Sequence, residues 1–152
     1  MFQVKPIGFV ENKREDLSHD FWGEEISTIT LADHMKDSSL DGIDEYSHIE
    51  IIFYFDQVRD DEIEYGSKVP RNNPNYPKVG ILAQRSKYRP NKLGLTTVKL
   101  LKRENRVLYV QGLDAVKGTP ILDIKPVLKE YLPREEVRQP QWFSDLMKNY
   151  WL

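Results

Sequence analysis

The chain has 152 residues, 39% of them apolar and 30% charged, the size of one compact domain able to bury about 70% of its unfolded surface. It contains no cysteine, which excludes disulfides, thiolate nucleophiles, zinc ribbons and iron–sulfur clusters. The net charge of −2 conceals a segregation: residues 1–66 carry 5 basic and 17 acidic side chains, residues 67–103 carry 10 basic and none acidic, and residues 104–152 carry 7 of each. Such a split marks a surface that meets polyanions, unless the acidic and basic thirds pair with each other in the fold.

Short β-branched or aromatic runs bounded by Asn, Asp, Gly and Pro predict strands at Val4–Val10, Ile26–Leu31, Ser47–Phe55, Val79–Ala83, Leu95–Leu101 and Val107–Leu113. Between the second and third, Asp37–Asp44 has room for a turn or two of helix. The nearly continuous apolar run from Ile49 to Phe55 predicts the centre of the core, on a strand covered on both faces or crossing a barrel. Residues 70–92 hold four prolines and four asparagines, so much of this stretch is a loop system, interrupted by a strand at Val79–Leu82. The polar joint Arg103-Glu-Asn-Arg106 predicts a hairpin between the last two strands. In Leu113–Pro126, Asp114 and Asp123 bracket the tight turn Gly118-Thr-Pro120, with Lys125 adjacent; they are turn-forming acids or a grip on a ribose or an amine. Pro140–Tyr150 carries Trp142, Phe143, Leu146, Met147 and Tyr150 at spacings of 3 and 4, a terminal amphipathic helix that caps the fold or docks on a partner subunit. Many short strands and few helices predict a mainly antiparallel β barrel or sandwich, a single domain over residues 1–152. The longest apolar run, Ile51–Phe55, is far below the roughly 20 residues of a membrane span, and the first residues lack a secretion-signal pattern. A soluble cytoplasmic protein is expected.

The inventory of reactive residues is sparse. No G-x-S-x-G elbow, no Gly-Lys-Ser/Thr phosphate loop and no G-x-G turn occurs. The three histidines, His19, His34 and His48, lie at no metal-ligand spacing, so no metal is expected, and His48 reads as a satisfied structural histidine. What remains is the cluster Gly80-Ile-Leu-Ala-Gln-Arg85-Ser-Lys-Tyr-Arg89-Pro-Asn-Lys-Leu-Gly94-Leu95. Two arginines in a turn-locked loop suit an anionic or nucleotide-like ligand, because guanidinium bonds carboxylate or phosphate bidentately and stacks on bases. The alternative is a hairpin with solvated arginines.

Gly80–Gly94 and Gly118-Thr-Pro-Ile-Leu-Asp-Ile-Lys-Pro126, with Pro6-Ile-Gly8 and Gly42-Ile-Asp-Glu-Tyr-Ser-His48, run through nearly the whole chain in order. Together they resemble the TsaA-like, or TrmO-type, tRNA N6-methyltransferases. The resemblance implies a small β-barrel with a short helix and a C-terminal amphipathic helix, S-adenosyl-L-methionine as cofactor, tRNA as partner and a homodimer. It implies methylation of N6 on a threonylcarbamoylated adenosine beside the anticodon. Its cofactor positions fall on Asp56, Gln57, Arg85, Leu95, Asp114, Ala115, Val116 and Lys117 of this sequence. The chemistry agrees with the inventory, because a sulfonium methyl donor needs alignment and exclusion of water but no thiol, metal or triad. Arg85 would pair with the cofactor carboxylate. Asp114, Asp123 and Lys125 are the open candidates for a catalytic role. The basic third supplies tRNA-binding candidates, Lys87, Tyr88, Arg89 and Lys92, with Lys99, Lys102 and Arg103 beyond them. The early loop reads Asp20-Phe-Trp-Gly23 where better-known members carry Pro-Arg-Gln. A non-catalytic nucleotide- or RNA-binding module and a small-molecule methyltransferase are the competing readings.

Overall fold

The computed structural model describes residues 1–14, 16 and 18–152. Six strands close a barrel: β1 (Gly8–Glu11), β2 (Ile26–Leu31), β3 (His48–Tyr54), β6 (Leu93–Glu104), β7 (Val107–Gln111) and β8 (Pro120–Pro126). Their order around it is β1-β2-β7-β6-β3-β8, every neighbouring pair antiparallel. Two short strands, β4 (Ser67–Lys68) and β5 (Val79–Gly80), pair outside it. Closure leaves none of the six with an unpaired edge.

The core follows from the two-residue strand period. Ile49, Ile51 and Phe53 of β3 point inward and are at most 2% exposed, while Glu50, Ile52 and Tyr54 take the outer face. Val98 and Leu100 of β6, Leu108 and Val110 of β7, Ile29 and Leu31 of β2, Val10 and Ile121 complete the interior. The run Ile49–Phe55 is thus a barrel wall with one face in the core, and the barrel reading holds over the sandwich.

Several expected elements shift. The first strand begins at Gly8, not Val4, and Val79–Ala83 becomes a two-residue strand followed by a 3-10 turn. Asp37–Asp44 forms two 3-10 turns. The hairpin expected at 103–106 turns at Asn105 and Arg106, with Asn105 in the left-handed region. Strand β8 lies where only a turn cluster was expected. Its prolines sit at the two ends of the strand, where a missing N–H is tolerated. The terminal helix is α1 (Gln141–Leu146), shorter than the predicted Pro140–Tyr150, and the chain then turns back toward the barrel. No helix among the described residues is long and apolar enough to cross a membrane.

Strand direction decides where the function can be. Because all neighbours are antiparallel, the ends of β1, β3 and β7 and the starts of β2, β6 and β8 lie at one end of the barrel. The connections 12–25, 55–92 and 112–119 therefore converge on one mouth, and they contain both motif stretches.

Candidate functional site

Residues 112–119 are held rigidly before any ligand is considered. Gly112 and Gly118 turn the chain at φ +86° and +87°, conformations that L side chains rarely adopt. Leu113, Ala115 and Val116 are buried. Asn12 Nδ2 donates to the carbonyl of Ala115 at 2.9 Å and to Ser27 Oγ at 3.0 Å, and Gly118 N donates to the carbonyl of Val10 at 2.8 Å. Asp114 is left pointing sideways, half-buried. Thr96 Oγ1 donates to its Oδ1 at 2.5 Å, and the Tyr150 hydroxyl donates to its Oδ2. Burial, first, and then the Asp114 carboxylate push the Tyr150 phenol far up, so it remains a neutral donor, while Arg71 and Arg85 oppose the shift.

The arginine segment is equally built. Gln84 is buried, its Nε2 bonded to the carbonyls of Lys68 at 3.0 Å and Val79 at 3.2 Å. Arg89 Nη1 donates back to the carbonyl of Gln84 at 2.8 Å, and Asn91 and Lys92 turn at φ +67° and +50°. This geometry aims Arg85 at β6, where its Nη2 donates to the carbonyl of Leu95 at 2.6 Å. Leu95 and Thr96 are consecutive on that strand. One residue step of β6 therefore joins Arg85 to Asp114, groups from the two separate motif stretches. Leu93 and Leu95 present apolar surface beside them, 44% and 43% exposed.

On the rim, Arg71 Nη2 pairs with Asp20 Oδ1 at 3.1 Å, both partly buried. Burial and then the Arg71 and Lys87 charges hold His19 below the usual imidazole value, against the pull of Asp20. Tyr88 has Lys68 Nζ at 5.1 Å and Lys87 Nζ at 5.3 Å from its ring centre.

Not every expected residue sits there in the expected way. Ala115 and Val116 send their side chains into the core, so only their backbone faces the loop. Lys117 is exposed. Asp56 and Gln57 lie in the turn after β3, tied to the 90–92 turn through Phe55 N and the carbonyl of Lys92 at 2.9 Å. Asp123 and Lys125 pair with each other at 3.2 Å on partly open side chains, outside the Thr96–Asp114–Tyr150 group. Lys92 corrects the tRNA-binding expectation: it is 7% exposed, with Nζ 2.9 Å from the carbonyl of Val58 and 3.2 Å from Asp60 Oδ1, facing the Tyr54 ring. A buried ammonium with three partners braces the loop and does not meet phosphate. Arg89 uses one guanidinium nitrogen, Nη1, on backbone, donating to the carbonyls of Gln84 at 2.8 Å and Ser86 at 3.5 Å. Lys102 pairs with Glu104 and Arg103 with Asp41. His48 is exposed, with Nδ1 2.7 Å from Ser47 Oγ.

The charge segregation resolves both ways. Arg71–Asp20, Lys92–Asp60 and Arg103–Asp41 join the acidic first third to the basic middle, whereas Lys68, Lys78, Lys87 and Lys99 have no ion pair among the described residues.

Thr96 and Tyr150 escaped the sequence reading. A signal existed for Thr96: it is the polar residue among inward positions of β6, between Gly94 and Val98. Tyr150 is marked in the sequence only as part of the terminal apolar stripe, with nothing to pair it with Asp114, 36 residues away.

Comparison with known proteins places the chain in a family. The family described as tRNA-methyltransferase O N-terminal domain matches residues 18–131. A human tRNA (adenine(37)-N6)-methyltransferase is 38% identical over 111 residues, 73% of this chain and 25% of that protein. The chain thus spans about a quarter of that relative's length. A probable S-adenosyl-L-methionine-binding protein of Methanocaldococcus jannaschii is 34% identical over 126 residues, 82% of this chain and 91% of that one. The crystal structure of TrmO from Pseudomonas aeruginosa superposes with a TM-score of 0.72 at 24% identity, covering 93% of this chain and 62% of the other, which shows a shared fold. With three quarters of its length matched, this chain is a member of the tRNA-methyltransferase O N-terminal domain family.

Proposed function

We propose that this chain is an S-adenosyl-L-methionine-dependent methyltransferase acting on N6 of adenosine 37 in tRNA, in its threonylcarbamoylated form. The observation that carries the reading is the step from Leu95 to Thr96, which links the Arg85 guanidinium to the Asp114 carboxylate. The human relative's name supports the reaction, and the Methanocaldococcus jannaschii relative, of similar length, supports the cofactor.

The residues present fit that cofactor. Arg85 uses one N–H on Leu95 and keeps others for an amino-acid carboxylate. Leu93 and Leu95 offer apolar surface to a purine ring. Each Asp114 oxygen accepts one internal hydrogen bond and has capacity for another, from ribose hydroxyls or an ammonium. When bound, S-adenosyl-L-methionine supplies a methyl group on a positively charged sulfur, electrophilic without further activation. The protein's task is then to align and to exclude water, and the buried braces of both motif stretches keep Arg85 and Asp114 in place for it.

In this reading Tyr88, between Lys68 and Lys87, meets the nucleic acid on the rim. The family resemblance is what supports pairing of two copies as a homodimer, which sedimentation of the purified chain checks directly.

Two measurements test the function. Titration with S-adenosyl-L-methionine should show binding that Arg85→Ala weakens about tenfold or more, as loss of a charge-assisted hydrogen bond predicts. Labelled methyl groups should enter bulk tRNA with S-adenosylhomocysteine released. Binding without methyl incorporation would instead favour a non-catalytic module, and unaltered affinity in Arg85→Ala would remove the site.

A further inference from the structure

The chain beyond residue 131 lies outside the matched family domain, and it returns to the barrel mouth. Residues 128–141 are largely exposed, so the anchorage of this returning segment comes from residues 142–151. It touches all three connections. On 12–25, Phe21 N donates to the carbonyl of Asn149 at 3.1 Å and Trp22 N to that of Tyr150 at 2.8 Å. On 55–92, the Tyr76 hydroxyl donates to Asp145 Oδ2 at 2.8 Å, and its ring lies 6.1 Å from that of Trp142. On 112–119, Tyr150 donates to Asp114. The fit at Gly23 is close: a Cβ there would lie 1.9 Å from the carbonyl oxygen of Trp151, a contact only a shift of backbone can relieve.

We propose that residues 141–151 form a strap across the mouth, and that Tyr150 is a positioning residue which orients the Asp114 carboxylate for its ligand. An aspartate with one donor is free to swing about its last torsion. Thr96 fixes one oxygen from the barrel wall and Tyr150 fixes the other from the strap, so the plane of the carboxylate is set. Its remaining lone pairs then point toward a ligand bearing paired donors, a vicinal diol or an ammonium. Because the phenol stays neutral, this clamp persists across the physiological pH range. The role of Tyr150 rests on the reading of Asp114 as a cofactor contact; the strap itself does not.

The test uses the full chain carrying Tyr150→Phe, Asp114→Asn, both together, and separately Gly23→Ala. Affinity for S-adenosyl-L-methionine is measured, with its KM and with kcat at saturating tRNA, and hydrogen exchange at the Phe21 and Trp22 amides. Tyr150→Phe should weaken binding and raise KM for S-adenosyl-L-methionine about tenfold, leaving kcat at saturation within twofold. The double variant should bind no worse than Asp114→Asn alone, because Tyr150 acts through that carboxylate. Gly23→Ala, which leaves the Tyr150 hydroxyl chemically intact but displaces the strap, should lower protection at Trp22 and reproduce the loss of affinity. Undiminished affinity in both Tyr150→Phe and Gly23→Ala, or losses from Tyr150→Phe and Asp114→Asn that add, would overturn the positioning role. An unaltered chain that fails to bind S-adenosyl-L-methionine would overturn the cofactor reading and the role of Tyr150 with it, while Trp22 protection would still report on the strap.

Discussion

Replacing Gly94 by alanine would set a methyl carbon 2.5 Å from Cε2 and from Cζ of Phe53, where ordinary contact begins at 3.4 Å. The ring must retreat by about 1 Å, and it has nowhere to go. Phe53 is 2% exposed, stands edge-on to Phe55 at 5.2 Å, and pairs with Gly94 across the β3–β6 ladder. Overpacking of this kind costs about 1–3 kcal/mol. Guanidinium chloride unfolding of Gly94→Ala should therefore show a lower midpoint with an unchanged slope. Because the cost comes from one ring, it should shrink by at least about 1 kcal/mol when Phe53→Leu is already present. The consequence reaches function as well, since the next residue, Leu95, holds Arg85 through its carbonyl. A Gly94→Ala chain within about 0.5 kcal/mol of the parent, or a cycle with Phe53→Leu that is additive, would refute the packing argument.

Lys92→Met should lower stability by about 1–3 kcal/mol by removing the hydrogen bonds to Val58 and Asp60. Its binding to tRNA, compared at one temperature where both chains are folded, should keep the parent's salt dependence. Lys87→Met, by contrast, should flatten the slope of log affinity against log salt by roughly 0.7–0.9 if it meets a phosphate. For His19 the sign follows from its depressed folded value: the unfolded chain binds the proton more readily, so stability is full above about pH 6.5 and falls as the pH drops below it. Thermal unfolding between pH 7.5 and 5 should show a component that His19→Gln removes; an identical pH profile in that variant would assign the acid sensitivity elsewhere.

The barrel strands are unequally legible in the sequence. Where alternation is sharp, as in His48–Tyr54 and Val107–Gln111, the run of side chains shows the strand directly. Where prolines and charges crowd a strand, as in Pro120–Pro126, local composition speaks for a turn, and only pairing with β1 and β3 makes it a strand. Arg85, Leu95 and Asp114 become cofactor candidates only through the family resemblance, since residue type and spacing alone leave solvated arginines and a turn-forming acid equally open. Lys92 misled because a lysine in a polar loop looks solvated until the turn at Asn91 and Lys92 buries it.

By itself, then, the order of residues determined the strand content, the absence of thiol chemistry, the charge segregation and the two stretches that meet at the mouth. These depend on local periodicity and residue type, which neighbours in sequence express. Tertiary structure alone decided that one step of β6 joins Arg85 to Asp114, that Lys92 turns inward, and that Tyr150 returns from the far end of the chain to share the same carboxylate. Those contacts join residues far apart in the chain, and it is barrel closure that brings such distant partners within hydrogen-bond reach.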